Sequence, residues 1–206
     1  MSITRRAGLG LLLSLPLLPG TARRGQAQGA ADPAAAQIER LHEAVLGIMK
    51  NAQALGIEGR YRQIAPAVEA AFDLPAMTAF AVGSRWSSFS PAEQAQVVEA
   101  FTRMTVASYA HNFNGFSGQS FVTDRVEPRG EERIVATRLL NPGKESVDLT
   151  YRMHQANGSW RITDVLHDSI SELGIRRSEF AASVRQGAPT LVQRLKELSD
   201  RLMQPG

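Results

Sequence analysis

The stretch between residues 147 and 168 carries the most regular pattern in the chain. Every second residue from 147 to 153 is apolar and those between them are polar, which is typical of a half-buried strand. The dipeptide Asn157-Gly158 follows, and both residues tolerate the positive φ angles of a type I′ turn. The pattern therefore predicts a β-hairpin in which Ala156 pairs with Ser159. The apolar residues of the first strand are Val147, Leu149, Tyr151 and Met153.

The register of this hairpin assigns the side chains of both strands to two faces, one mainly apolar and one polar. A carboxylate, Asp164, falls on the apolar face. Because a buried charge is costly without a partner, we expect Asp164 to bind backbone N–H groups or an arginine from a helix. The apolar face pairs Met153 with Ile162, Tyr151 with Asp164, Leu149 with Leu166 and Val147 with Asp168; the polar face pairs Arg152 with Thr163, His154 with Arg161 and Asp148 with His167.

Helical periodicity dominates the chain on both sides of this region. Helices are predicted over residues 33–54, 59–71, 73–83, 90–112, 170–185 and 189–203. Pro66 is expected to kink or shorten the second helix, and Ser90 begins the fourth helix as a capping box with Glu93. Strands are predicted over residues 121–128, 133–140, 146–155 and 159–168. This order predicts an α+β fold with a four-stranded antiparallel meander between N-terminal and C-terminal helices.

The N-terminus has the pattern of an export signal. Arg5-Arg6 precede an apolar run over residues 7–18, and small residues near Gly25 to Ala27 suit a cleavage site. We expect residues 1–27 to be a cleaved signal peptide and residues 28–206 to form a single domain. The arginine pair is compatible with both the general secretory and the twin-arginine routes.

The charge of the chain changes when this leader is set aside. Residues 1–27 hold four of the 23 Lys and Arg residues and none of the 20 Asp and Glu residues, so the remaining chain has one more acid than base. The basic character belongs to the leader, which argues against nucleic acid as a partner. The chain contains no cysteine, which excludes disulfides and thiolate metal sites.

Catalytic and metal chemistry find little support in the motifs. The four histidines are His42, His111, His154 and His167. The hairpin register places His154 opposite Arg161 and makes His167 a surface partner of Asp148, so no metal or other cofactor site is expected. A triad of Ser171, His167 and Asp164 is disfavoured because the chain has no nucleophile elbow and His167 points away from Asp164.

Two alternatives stay open for the charged residues near the hairpin. Asp164 beside Tyr151 in an apolar cavity resembles the acid–base arrangement of ketosteroid isomerases. Asp164 as a structural residue, holding a helix start or an arginine such as Arg177, is the preferred interpretation. Arg176 and Arg177 either form a site for an anionic headgroup or divide into one solvated arginine and one tied to Asp164 or Asp168.

Several motifs resemble one protein family. Tyr151-Arg152, the run WRITDV from Trp160 and Arg177-x-x-Phe180 are similar to the C-terminal half of the toluene-tolerance, MlaC-type family of periplasmic lipid-binding proteins. The run ISELGIRRSEF is similar to the branch named HpnM after hopanoid biosynthesis. The upstream motifs follow in the family's order, and the resemblance covers roughly residues 33–202. These motifs are Phe72-Asp73, Gly83-x-x-Trp86, Ser90-Pro91, Phe101 and Tyr109-Ala110.

The resemblance implies a function and a set of residues. It implies a non-catalytic periplasmic carrier that holds lipid acyl chains, of phospholipid or a hopanoid, between a curved sheet and helices. It also implies exchange of cargo with an inner-membrane MCE–ABC transporter and an outer-membrane lipoprotein complex. The candidate headgroup residues, from the chemistry of the arginine side chain, are Arg176 and Arg177. The implied cavity residues are Met77, Phe80, Phe101, Met104, Tyr109, Val135, Val147, Leu149, Tyr151, Met153, Leu166 and Ile170.

The chain departs from the family pattern at two positions. Ser169 stands where a glycine is usual, and Arg176 stands where an aromatic residue commonly precedes the arginine. Two alternatives to the carrier remain: an exported isomerase-like enzyme that acts on a hydrophobic small molecule through Asp164, and an assembly factor whose cavity is filled core.

Overall fold

A computed structural model describes residues 32–204, and the leader expected over residues 1–27 lies outside them. The α+β architecture is confirmed: an open antiparallel sheet, in the order β1-β2-β3-β4-β5, packs against helices. The helices are α1 Pro33–Lys50, α2 Ala52–Ala71, α3 Leu74–Val82, α4 Pro91–Asn112, α5 Glu172–Gln186 and α6 Ala188–Leu202, with a short 3-10 helix at Gly83–Ser88. The strands are β1 Ser120–Arg129, β2 Glu132–Leu140, β3 Val147–Ala156, β4 Ser159–His167 and β5 Ile170–Ser171.

Two of the predicted helix starts, those of α3 and α4, are confirmed by their caps. The Asp73 carboxylate accepts a hydrogen bond from the backbone N of Ala76 at the start of α3. At the start of α4, Ser90 Oγ accepts from the backbone N of Glu93, and the Glu93 carboxylate accepts from the backbone N of Ser90 at 2.8 Å. These side chains satisfy N–H groups that have no partner inside the helix, and so they fix where each helix begins.

The first two helices differ from the prediction in where the chain breaks. α1 ends at Lys50, and α2 already begins at Ala52 and continues to Ala71. The irregular residue inside α2 is Gly56, with φ 57°, whereas the helix runs through Pro66. Glycine adopts a positive φ at little cost, so the backbone bends there rather than at the proline. Among the described helices, none combines the length and apolar character needed to cross a membrane.

The β3–β4 hairpin follows the predicted register near its turn and then departs from it. Ala156 pairs with Ser159 and Met153 with Ile162, as predicted. Beyond Met153 a β-bulge adds one residue to β4, so the predicted pairing is wrong from that point on. Because one extra residue exchanges the two faces of a strand, the residues that share the inner face of the sheet also change. The observed pairs are Arg152 with Asp164, Tyr151 with Val165, Thr150 with Leu166 and Leu149 with His167.

A second tight turn follows β4, where a helix was predicted to begin at residue 170. Asp168 and Ser169 both have positive φ, 48° and 68°, and they bring Ile170 opposite His167 in the short strand β5. Two consecutive positive φ angles are characteristic of a type I′ turn, which Asn and Gly adopt most readily. Ser169 therefore holds the left-handed conformation at the position where the family usually has glycine.

The inner face of the sheet is covered in two different ways. Helices α1 and α2 pack on the half of the face nearest the β3–β4 turn, where the side chains of Met153 and Ile162 are fully buried. At the other half, near the β2–β3 connection, α4 and α5 stand across a space from the sheet. The uneven covering leaves a largely apolar cavity at this end of the sheet.

Candidate functional site

A cavity of about 350 Å³ lies between α4, α5 and the inner face of the sheet. Its volume is at the lower end of the range of small-molecule sites, which is ~300 to 1,000 Å³. Most of its surface is apolar, and its charged lining residues, Glu172 and Arg176, are partly exposed to solvent, as is His167 beside them. The lining residues are Phe72, Met77, Phe101, Met104, Thr105, Ser108, Tyr109, Asn112, Phe113, Leu139, Val147, Leu149, Val165, His167, Glu172, Leu173 and Arg176.

The hydroxyl groups on the α4 wall do not make that wall polar. Thr105 Oγ1 donates to the carbonyl of Phe101 at 2.9 Å, and Ser108 Oγ donates to the carbonyl of Met104 at 2.9 Å. Each hydroxyl donor is therefore already satisfied within the helix, four residues back. A hydrocarbon ligand can pack against this wall without stripping a hydroxyl donor of its partner.

Three aromatic side chains form one end of the cavity. The Tyr109 ring packs edge-on against Phe72, with centroids 5.8 Å apart, and lies 5.5 Å from the ring of Phe113. Burial, with a smaller effect from the Glu172 carboxylate, raises the pKa of the Tyr109 phenol above its usual value. The phenol is therefore neutral at physiological pH and offers a ligand a dipole, not a charge.

The rim, defined here as Asn112, His167, Glu172 and Arg176, is the polar side of the cavity. Arg176 donates from Nη1 to Glu179 Oε2 at 2.8 Å. The ring of His167 is 3.6 Å from a carboxylate oxygen of Asp168 and is half exposed. The site thus combines an apolar interior with a charged edge, which suits an amphiphile.

Half of the residues expected at the cavity are found there. They come from both walls, and Arg176 of the expected headgroup pair also lines the cavity. Whether these residues bind lipid stays a prediction. The residues are Met77, Phe101, Met104, Tyr109, Val147 and Leu149.

Three further expected residues are buried without lining the cavity. Val135, Tyr151 and Met153 lie on the inner face of the sheet, as predicted, but in the half that α1 and α2 cover. The Tyr151 hydroxyl is 2.9 Å from His42 Nε2 on α1, and the His42 ring stacks on Phe121 at 3.8 Å. The prediction that these residues lie on the inner face is correct. The prediction that they line the cavity is not, because they belong to the core.

The remaining expected residues lie outside the cavity. Phe80 is 50% exposed and Ile170 is 59% exposed. The bulge turns Leu166 to the outer face of the sheet, where it neighbours Thr150 and Arg152. Arg177 binds the carbonyl of Phe80 at 3.2 Å and places its guanidinium 5.1 Å from the centroid of the Phe80 ring. These four side chains therefore do not line the cavity as expected, and their role in lipid binding stays a prediction.

Ten further residues line the cavity without having been predicted from the sequence. Those on α4 continue the stripe of Phe101 and Met104 at helical spacing, so that periodicity contained a signal for them. Val165 and His167 carried no such signal, because the bulge that turns them inward is not visible in the alternation. The missed residues are Phe72, Thr105, Ser108, Asn112, Phe113, Leu139, Val165, His167, Glu172 and Leu173.

Asp164 is a structural residue at the start of α5. Its side chain is nearly buried, accepts from Ser171 Oγ at 2.7 Å and accepts from the backbone N of Leu173 at 3.2 Å. The predicted role of holding a helix start is confirmed. The acid–base arrangement with Tyr151 is wrong, because Asp164 does not line the cavity and the Tyr151 hydroxyl is bound to His42.

Replacing Asp164 with asparagine is expected to lower the free energy of unfolding by about 1–2 kcal/mol. Ser171 and Leu173 donate to different carboxylate oxygens, Oδ2 and Oδ1, and asparagine keeps an acceptor at only one of these two positions. Urea denaturation checks the stability. Ser171→Ala removes one of the two donors and also the hydroxyl that accepts from the backbone N of Gly174, so it should lower the stability as well. An unchanged stability, or a loss of lipid content without loss of stability, would contradict the structural role.

The histidines do not converge on a metal site. His154 pairs with Arg161, as predicted, and its Nε2 lies 2.7 Å from the Asp73 carboxylate. His111 Nδ1 contacts the carbonyl of Leu202 at 3.0 Å. His167 lines the cavity and does not pair with Asp148 as expected, because of the bulge. Within residues 32–204 no group of three or more potential metal ligands is found.

The chain is similar to known proteins, both to a family model and to a solved structure. A model of the family described as MlaC protein matches residues 39–197. Among solved structures, the chain is similar to a phospholipid-binding protein from Ralstonia solanacearum, solved in complex with a phospholipid, with 21% sequence identity and a TM-score of 0.74. The match covers 84% of this chain and 100% of that one, and at this identity it shows the fold. No curated protein matches the chain significantly.

Proposed function

The chain belongs to the MlaC family, and we propose on that premise that it is a non-catalytic lipid carrier. Its cavity would hold the acyl part of a phospholipid, and its rim would leave the headgroup in contact with water. The observation that carries this proposal is the apolar cavity between α4, α5 and the sheet, which is open on its charged side.

Burial of the acyl chain is the physical reason for such a cavity. At ~0.8 kcal/mol per CH₂ group, an acyl chain of about sixteen carbons costs on the order of 12 kcal/mol in water. A carrier that moves lipid through water must therefore cover the chain and can leave the polar end exposed. The side chains of Phe101, Met104 and Leu149 supply apolar surface on both walls, and the structural relative from Ralstonia solanacearum binds a phospholipid.

The family and the leader support a place of action outside the cytoplasm. MlaC-family proteins are periplasmic, and residues 1–27 have the pattern of an export signal. We propose that the leader is removed and that residues 28–206 act as one domain in the periplasm. This is the compartment in which lipid has to cross water between two membranes.

The finer parts of the proposal concern partners and cargo. We propose that the carrier exchanges lipid with an inner-membrane MCE–ABC transporter and an outer-membrane lipoprotein complex. The run ISELGIRRSEF, which resembles the HpnM branch, supports a hopanoid as an alternative cargo. The half-exposed Ile170 begins that run, and Arg176 within it lines the cavity.

Lipid extracted from protein purified from its native periplasm without detergent is expected to be stoichiometric with the protein. Mass spectrometry of the extract identifies the cargo, and a phospholipid or a hopanoid would each support one branch of the proposal. Protein that is empty on purification and stays empty after incubation with liposomes would refute the carrier function.

A further inference from the structure

Two charged residues on the cavity side of α5 are spaced to pair with each other but do not. Glu172 and Arg176 both line the cavity and are four residues apart on one helix. Side chains at that spacing are neighbours, about 5–6 Å apart at their Cβ atoms. Arg176 instead donates to Glu179 at 2.8 Å. Within residues 32–204 the Glu172 carboxylate has no ion pair and no side-chain hydrogen bond.

The position of Glu172 in α5 explains why a carboxylate is favourable there, but it does not explain why the side chain lines the cavity. It lies in the first turn of α5, where the helix dipole favours a carboxylate. That preference does not require the side chain to line a cavity. The Glu172 carboxylate contributes to the raised pKa of the Tyr109 phenol, so its charge is felt at the aromatic end of the cavity.

The other charges near the rim leave carboxylates in excess. Arg177 is held away from the cavity by the Phe80 carbonyl. His167 has Asp168 beside it at 3.6 Å. A purely anionic headgroup would therefore meet several carboxylates and one guanidinium that is already shared with Glu179, and like charges at close range repel.

We propose that Glu172 and Arg176 together select a zwitterionic headgroup that carries a protonated amine. The Arg176 guanidinium has five N–H donors, so it can bind a phosphate while it keeps Glu179. The open Glu172 carboxylate then accepts the ammonium group. In phosphoethanolamine two carbons separate the phosphate ester from the ammonium, a span that two side chains four residues apart on one helix can bridge. This inference rests on the proposed lipid-carrier function.

The test is a competition between two lipids with identical acyl chains. Delipidated protein is incubated with vesicles that contain phosphatidylethanolamine and phosphatidylglycerol in equal amounts, and the bound lipids are counted by mass spectrometry. The wild-type protein is expected to enrich phosphatidylethanolamine roughly fivefold, the ratio typical of one partly exposed ion pair. Identical chains ensure that the cavity itself does not discriminate.

Variants at Glu172 test whether the preference depends on the charge of its carboxylate, which would pair with the ammonium group of the lipid. Glu172→Gln is expected to reduce the ratio of bound lipids to about one, and Glu172→Asp, which keeps the charge, should retain the preference. Glu197→Gln removes an equal charge from α6, outside the cavity, and should behave as the wild type. A preference that is lost equally in the Gln and Asp variants would overturn the proposal.

The outcomes distinguish this inference from the function on which it rests. Equal uptake of both lipids by the wild type would refute headgroup selection and leave the carrier function intact. Uptake of neither lipid would refute the phospholipid-carrier function on which the proposal rests. Preferential uptake of phosphatidylglycerol would show that Arg176 dominates the rim, which also overturns the proposal.

Discussion

Replacing Val165 with tryptophan is expected to abolish lipid binding, with at least about a tenfold loss of bound lipid. Val165 lies on β4 opposite Tyr151, and its side chain lines the cavity. An indole at this position enters a space of about 350 Å³ that the acyl chain would otherwise occupy. The measurement is the lipid content of protein purified from the periplasm, together with uptake from liposomes.

The adjacent residue provides a matched control. Leu166 lies one position further along β4, and its side chain is on the outer face of the sheet, near Thr150 and Arg152. Leu166→Trp therefore adds the same indole to the same strand outside the cavity and is expected to keep its lipid. If instead Leu166→Trp lost lipid and Val165→Trp kept it, the register without the bulge would be correct and the site would be placed on the wrong face.

Val165 and Leu166 also show which part of the hairpin could not be predicted from the sequence. Apolar alternation and the Asn157-Gly158 turn predicted the hairpin, and its pairing is correct as far as Met153 and Ile162. A bulge needs only one extra residue, Thr163, and nothing in its residue type distinguishes it from a residue in regular pairing. Because of this one extra residue, Val165 and His167 line the cavity and Leu166 does not.

The alternation of apolar and polar residues also did not predict which residues on the inner face of the sheet belong to the core and which line the cavity. Val135, Tyr151 and Leu149 are apolar residues on one face of the sheet, and period-2 alternation treats them alike. Only the packing of α1 and α2 on part of that face decides that Tyr151 is core and Leu149 is cavity wall. Such packing depends on contacts between residues far apart in the chain, which local periodicity does not record.

The core that α1 completes contains a histidine whose burial makes stability depend on pH. His42 is 5% exposed, stacks on Phe121 and bonds to the Tyr151 hydroxyl. Desolvation by burial lowers the pKa of His42 from 6.5 to about 4. Between those values the unfolded chain binds a proton that the folded chain does not, so acid favours unfolding. The stabilisation is complete above pH 6.5 and is lost as the pH falls toward 4.

The free energy of unfolding is expected to fall by about 3 kcal/mol from this residue between pH 7 and pH 4. Urea denaturation at a series of pH values measures the fall. His42→Phe keeps an aromatic ring against Phe121 but leaves the Tyr151 hydroxyl without its partner, so at pH 7 the variant should be less stable by about 1 kcal/mol. At pH 4.5 the variant should be the more stable protein, because it has no imidazole to protonate.

The decisive result is that the curves of unfolding free energy against pH cross for the wild type and His42→Phe. The other acidic groups are the same in both proteins, so their contributions cancel when the two free energies are subtracted. Glu93 and Asp124, for example, have pKa values lowered by hydrogen bonds to Ser90 and Arg138, and both groups are unchanged in the variant. Parallel curves for the wild type and His42→Phe would mean that His42 is charged inside the fold, and the Tyr151 hydroxyl would then have to act as its acceptor.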